Sequence, residues 1–190
     1  MSIVPQANDL RNLSRVVVLV AGGLCTSSKI CEVWGASIDS VQNYLEAGCV
    51  FRLVKREKKG REYCYSLTEI GNRFVHADEQ MKTKLLQERL FEFEPFLVVA
   101  KCLSVRSRNV TDVGKTLMAS LGQRWSFATA SSKAGILLSW GVQLRIFHKR
   151  REGKRVVYHL TGEGRNLLRR RVSREEEARE RMPVIMVSRG

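Results

Sequence analysis

Lys55-Arg56-Glu57-Lys58-Lys59-Gly60-Arg61 recurs, 93 residues further on, as His148-Lys149-Arg150-Arg151-Glu152-Gly153-Lys154. In the same frame Leu45-Glu46-Ala47-Gly48 meets Leu138-Ser139-Trp140-Gly141, and Leu53 meets Ile146. Tyr65-Ser66-Leu67-Thr68 then meets Tyr158-His159-Leu160-Thr161, and Gly71 meets Gly164. The frame holds without a gap from Leu45 to Gly71. Glycines, aliphatics, a basic tract and Tyr-x-Leu-Thr agreeing in one register mark a tandem duplication.

Each copy has a readable local structure. Ile38, Val41, Tyr44 and Leu45 recur at helical spacing ahead of the first basic tract. Ser37 reads as the N-cap of that helix, and Gly48 as its C-cap. Val50 to Val54, the charged tract turning at Gly60, and Tyr63 to Leu67 then read as a β-hairpin. In the second copy the strands are expected over Val142 to His148 and Arg155 to Leu160, turning at Glu152-Gly153. Thr68 and Thr161 cap the helices that follow. Upstream, Leu13 to Ala21 and Phe96 to Ser104 read as each copy's first helix, and Ser28 to Val33 and Val113 to Ser120 as its second. Trp34 and Phe127 coincide in the 93-residue frame and read as core residues.

Helices, a last helix, a basic hairpin and a closing helix, repeated, resemble two tandem winged-helix domains. The phrase from Arg151 to Arg165, with Glu57 to Arg73 in the first copy, is similar to the wing and following helix of multiple-antibiotic-resistance-type and archaeal transcriptional regulators. The Asp-x-Arg usual at that family's wing tip is replaced by Glu152-Gly153-Lys154 and Lys59-Gly60-Arg61. The expected class is therefore mainly α with small β-hairpins (α+β). The expected layout is an N-terminal tail (1–10), winged helix one (11–75), a linker helix (76–94), winged helix two (95–172) and a charged extension and tail (173–190). Glu69 to Glu92 reads as one long amphipathic helix bridging the copies. It reads first as a packing helix; a homodimer through it or through the C-terminal helix is the alternative.

The chain of 190 residues carries 33 Lys+Arg against 19 Asp+Glu, a net charge of +14. Arg52 to Arg61 holds six cations and one acid, and so does Arg145 to Arg155, so the hairpins carry +10 of that total. Solubility does not require such concentration, which costs self-repulsion, so an anionic partner is expected. Arg52, Lys55, Arg56, Lys58, Lys59 and Arg61, with Arg145, Lys149, Arg150, Arg151, Lys154 and Arg155, are the candidate phosphate contacts of the wings. Base contacts fall to the recognition helices: Ser37, Asp39, Ser40, Gln42 and Asn43 in copy one, and Arg124, Ser126, Thr129, Ser131, Ser132 and Lys133 in copy two. Double-stranded DNA is the expected partner and transcriptional regulation the expected role, with a replication initiator or a protein-interaction scaffold as alternatives. Binding of RNA or an anionic membrane surface is a third.

Other classes are excluded on composition. With 44% apolar residues the chain can fill two small cores, so whole-chain disorder is ruled out. No apolar run reaches the ~18–20 residues of a membrane span, and Met1 to Leu10 does not read as a secretory signal, so a cytoplasmic, nucleoid-associated protein is expected. Cys25, Cys31, Cys49, Cys64 and Cys102 show no metal-knuckle spacing and read as small hydrophobes, a disulfide being open only for a hyperthermophile source. His76, His148 and His159 form no triad or metal signature, and Gly114-Lys115-Thr116 lacks the earlier glycine of a phosphate loop. No cofactor, no metal and no enzymatic activity are expected. The scarcity of interleaved aromatics argues against single-strand binding by stacking.

Overall fold

Asp9 caps a helix whose apolar residues Leu10, Leu13, Val16, Val17 and Val20 all face inward; this is α1 (Leu10–Ala21). The structure, a computed structural model, describes residues 4–180. After α1 come α2 (Ser27–Trp34), α3 (Ile38–Val50), the antiparallel pair β1 (Val54–Lys59) and β2 (Glu62–Leu67), and α4 (Glu69–His76). α5 (Glu79–Phe91) leads into the second set: α6 (Glu94–Val105), α7 (Val110–Ser120), α8 (Phe127–Gln143), the pair β3 (Phe147–Glu152) and β4 (Arg155–Leu160), and α9 (Gly162–Glu180). The described residues are mainly helical with two small antiparallel hairpins, as the α+β expectation holds. None of their helices is long and apolar enough to cross a membrane.

The duplication is written in the backbone. α3 ends with Leu53 N–H bonded to Gly48 O and Arg52 N–H to Cys49 O, and α8 ends with Ile146 N–H bonded to Gly141 O and Arg145 N–H to Val142 O. This pair of bonds is the Schellman stop, whose penultimate residue must be left-handed. Arg52 and Arg145 take that conformation, at φ 55° and 57°. Each hairpin starts directly after the stop, and each returns to it: Thr68 N–H bonds Leu53 O and Thr161 N–H bonds Ile146 O. The Thr68 hydroxyl donates to Arg52 O and accepts from Gly71 N–H, and Thr161 does the same with Arg145 O and Gly164 N–H. Gly71 and Gly164 are glycines because a Cβ there would sit 1.8 Å from Leu53 O and 2.5 Å from Ile146 O.

Four readings of the sequence are corrected here. Gly48 is not a C-cap but an interior residue of α3, small because a Cβ would lie 2.8 Å from Val54 Cγ2. Both first strands begin later than expected, since Val50 and Val142 still belong to helices. The long helix over 69–92 is two helices, broken where Ala77 turns extended and Asp78 caps α5 by accepting from Met81 N–H. Its apolar residues Leu85, Leu86, Leu90 and Phe91 are buried within the chain, and buried Gln87 donates to Leu144 O and Glu163 Oε1.

The segment read as an N-terminal tail is instead held along its described part, residues 4–9. Val4 and Ala7 are buried. Gln6 N–H donates to Asn43 Oδ1 of α3, while α8 holds the other edge through Lys133 to Val4 O, Trp140 to Ala7 O and Ser139 to Asn8 O. The segment is thus a strap between the two copies. Beside it Phe51 meets Trp140 edge to face, centroids 5.2 Å apart, so the aromatic core continues across both. Within the extension and tail expected over 173–190, Ser173 to Glu180 continue α9, and residues 181–190 lie outside the described residues.

Candidate nucleic-acid interface

The two hairpins alternate strictly. Val54, Arg56 and Lys58 share a face with Leu67, Tyr65 and Tyr63 across the pair, and Phe147, Lys149 and Arg151 share one with Leu160, Tyr158 and Val156. Only the root of each hairpin is buried, through Val54, Tyr65, Phe147 and Leu160. Both tips turn in two residues, with a left-handed glycine first (Gly60, Gly153), which suits the twist of a hairpin. Lys55, Arg56, Lys58, Lys59, Arg61, Lys149, Arg150, Arg151, Lys154 and Arg155 are all exposed. Among the described residues none of these ten enters an ion pair; Arg56 lies over the Tyr63 ring at 5.1 Å, and Arg151 Nε donates to its own turn at Gly153 O. A dense cationic edge whose cations outnumber Glu57, Glu62 and Glu152 and form no ion pair with them is set to attract a polyanion.

Arg52 and Arg145 do not belong to that edge. They form the left-handed helix stops, and Arg52 is paired with Glu92 at 3.2 Å.

Each hairpin is tied to the segment ahead of its copy's second helix. Tyr65 N–H donates to Cys25 O, and Tyr158 exchanges both backbone bonds with Arg108. This third strand-like contact fixes the hairpin beside the helix pair. In copy one the result is a cleft lined by Ser27 and Ser28 of α2, Ile38 and Gln42 of α3, and Arg61, Glu62 and Tyr63 of the hairpin. In copy two Arg155 and Val156 face Asn109 to Asp112 at the start of α7. The Tyr65 and Tyr158 phenols are both pushed up, chiefly by burial, so they serve as packed anchors.

The candidate base readers divide into two sets. Ser37 and Ser126 are N-caps, accepting from Ser40 N–H and Thr129 N–H, so their hydroxyls are engaged locally. Asn43 and Lys133 hold the strap: Asn43 donates to Asp39 O and accepts from Gln6 N–H, and Lys133 donates to Val4 O. Burial pulls the Lys133 ammonium down from its usual range, with Glu46 partly opposing. Neither is free to read a base. Asp39, Gln42, Arg124, Thr129 and Ser132 are exposed, and Ser40 and Ser131 half-buried. The strap reaches α3 at Asn43 and α8 from Lys133 onward, leaving the first turns of both helices clear.

Two residues of those first turns were not foreseen as surface. Phe127 is 49% exposed and Ile38 41%, and each directly follows the N-cap serine of its helix. Phe127 is not the core partner of Trp34, because the caps of α3 and α8 are displaced against the 93-residue frame. Only the cap pattern Ser-apolar, present at both places, carries a signal for this. The histidines of the second hairpin stack across the strands with centroids 6.4 Å apart. Among the described residues all five cysteines are free, and no group of three or more His, Cys, Asp or Glu lies together as a metal set.

No family model and no curated protein matches the sequence. The fold is similar to solved structures of the restriction endonuclease FokI, with a TM-score of 0.57 at 15% identity over 71% of this chain. For the same enzyme bound to DNA the TM-score is 0.55 at 12% identity over 73% of this chain. The chain corresponds to 31% of the length of either. The likeness is one of fold. It overturns the expectation of no enzyme, because this arrangement of helices and hairpins occurs within an endonuclease.

Proposed function

We propose that the chain binds double-stranded DNA as two winged-helix units, α3 and α8 entering the major groove by their first turns and the hairpins lying as wings along the phosphates. The observation that carries this reading is the pair of unpaired cationic hairpins, each tied beside an exposed helix start in its own copy. Recognition helices read base edges with their N-terminal residues, the part the strap leaves open here. The bond from Tyr65 N–H to Cys25 O and the antiparallel bridge between Tyr158 and Arg108 support the winged-helix assignment, since they dock each hairpin where a wing's third strand would run. Control of transcription, as in the regulators that the wing phrase resembles, is the role this binding fits.

The FokI structures favour a second reading of the role, in which the same DNA contacts serve strand cleavage. A mobility-shift titration tests the binding. Random duplex should shift at ~50–100 mM salt and be released steeply as salt rises, whereas single strands and RNA should bind less. No shift of any duplex in that range sinks the proposal. Supercoiled plasmid incubated with the protein and Mg²⁺ separates the roles: nicked or linear product marks cleavage, and intact retarded plasmid marks binding alone.

A further inference from the structure

Large apolar side chains exposed beside a nucleic-acid-facing cationic surface can gain by being buried on binding, at about 0.8 kcal/mol for each buried methylene. Phe127 and Ile38 hold the same position relative to the capping serine of their helices, and each is the one large apolar side chain left exposed in its helix's first turn. The cationic setting decides what could cover them. Lys115 Nζ stands 5.2 Å from the Phe127 ring and Arg124 lies three residues earlier, while Ile38 shares its cleft with Arg61 and Glu62 at the root of the cationic hairpin tip. An apolar protein partner gains nothing from these charges, whereas duplex DNA offers phosphates around the one apolar group of its major groove, the C5-methyl of a pyrimidine.

We propose that Ile38 and Phe127 are specificity-determining residues that read pyrimidine C5-methyl groups, of thymine or of 5-methylcytosine, in the major groove. The inference rests on the duplex-binding reading. In copy one Gln42 lies one turn beyond Ile38 on the same exposed face, and its amide matches the N6 and N7 of adenine. That pair reads an A·T-containing step. In copy two the residue one turn beyond Phe127 is half-buried Ser131, whose hydroxyl accepts or donates to any base. The methyl contact therefore carries most of the choice there.

The test starts from a duplex selected by the full chain out of a random pool. It is resynthesised with deoxyuridine for thymidine, one position at a time, and with 5-methyldeoxycytidine for deoxycytidine. A buried methyl is worth ~0.8 kcal/mol, so the contacted positions should lose about fourfold in affinity with uracil if thymine is read. If 5-methylcytosine is read, its introduction should gain about as much. Phe127→Ala should abolish the response at one half-site and leave the Ile38 half-site responsive, and Phe127→Leu should restore it. Salt-dependent binding with no response to either base change overturns this inference alone, as does a response that persists in both Phe127→Ala and Ile38→Ala. Failure to select any duplex overturns the duplex-binding reading and this inference with it.

Discussion

From Gly48 to Gly71 and from Gly141 to Gly164 the two copies share the same helix-stop bonds, the same left-handed arginine and the same threonine hinge. Upstream they part. α3 has 13 residues and α8 has 17, so α8 begins about one turn earlier against the common frame. The difference separates two kinds of constraint. At the corner between helix and hairpin, backbone approaches backbone so closely that neither length nor residue size can drift. At the helix start nothing presses from outside, and length, charge and apolar surface have diverged. Copy one offers Ile38 and Gln42 there, copy two Phe127 and Thr129.

The sharpest challenge to treating the copies as equals is to discharge one hairpin at a time. Lys58, Lys59 and Arg61→Ala in copy one, or Arg150, Arg151 and Lys154→Ala in copy two, should each lower the salt slope of duplex binding by about three, one for each lost phosphate contact. Affinity should fall for all sequences alike, because phosphate contacts carry no sequence information. Titration of both variants against random duplex over a range of salt checks this. Equal losses keep the copies equivalent; a loss confined to one hairpin means that only that copy engages DNA.

The corner itself is tested by adding one methyl. In Gly71→Ala the new carbon would meet Leu53 O at 1.8 Å, and in Gly164→Ala it would meet Ile146 O at 2.5 Å. Main-chain oxygens cannot rotate away, so each change should cost about 1–3 kcal/mol, with Gly71 the worse of the two. Urea unfolding gives both values. Equal or negligible costs would show that the corner is looser than its hydrogen bonds imply.

This corner is also where the sequence was most and least informative. The 93-residue frame, the threonine caps, the turn glycines and the second strands were all legible, because each rests on a local rule. The helix stops were not. A left-handed position usually holds glycine, and the nearest glycine, Gly48, drew the boundary three residues early, while the position is filled by Arg52. Asn43 and Lys133 were legible as polar helix residues, yet their use by a strap more than thirty residues away in the chain, or more than a hundred, is tertiary information with no local trace. The exposed hairpin cations needed only charge counting.

A milder contrast lies under the hairpins. Beneath the first, the Cys49 thiol and the Tyr65 phenol are both raised by burial, Tyr65 also by the Cys49 thiolate, with Arg56 partly opposing both, and the Cys64 thiol on β2 is raised chiefly by its hydrogen bond with Cys25. Beneath the second, Val142 replaces the thiol in the common frame, leaving Tyr158 raised by burial alone. A raised folded-state value means stability that is complete below the unfolded value and is lost as pH climbs from there through the folded one. The ordinary thiol and phenol values are ~8.5 and ~10, so copy one should begin to weaken from the thiol range upward and copy two only from the phenol range. Hydrogen exchange of β2 and β4 followed from pH 8 to 11 reads the order, and Cys49→Val together with Cys64→Val, the residue that copy two holds at both places, should bring the two hairpins level.

The smallest expected effect concerns the arginines at the helix stops. An L-residue in the left-handed region costs ~1–2 kcal/mol, and glycine avoids this at an entropic cost of ~0.5–1 kcal/mol in the unfolded chain. Arg145→Gly should therefore stabilise by about 0.5–1 kcal/mol, since φ 57° is retained at no steric cost. Arg52→Gly gains the same backbone relief but gives up the 3.2 Å pair with Glu92. A partly exposed pair is worth ~0–1 kcal/mol, so this variant should gain less or break even. The difference between the two urea midpoints isolates the ion pair, and it should shrink when Glu92→Gln is placed in both backgrounds. A difference that survives Glu92→Gln would mean that the two corners are not equally strained, despite their matching bonds.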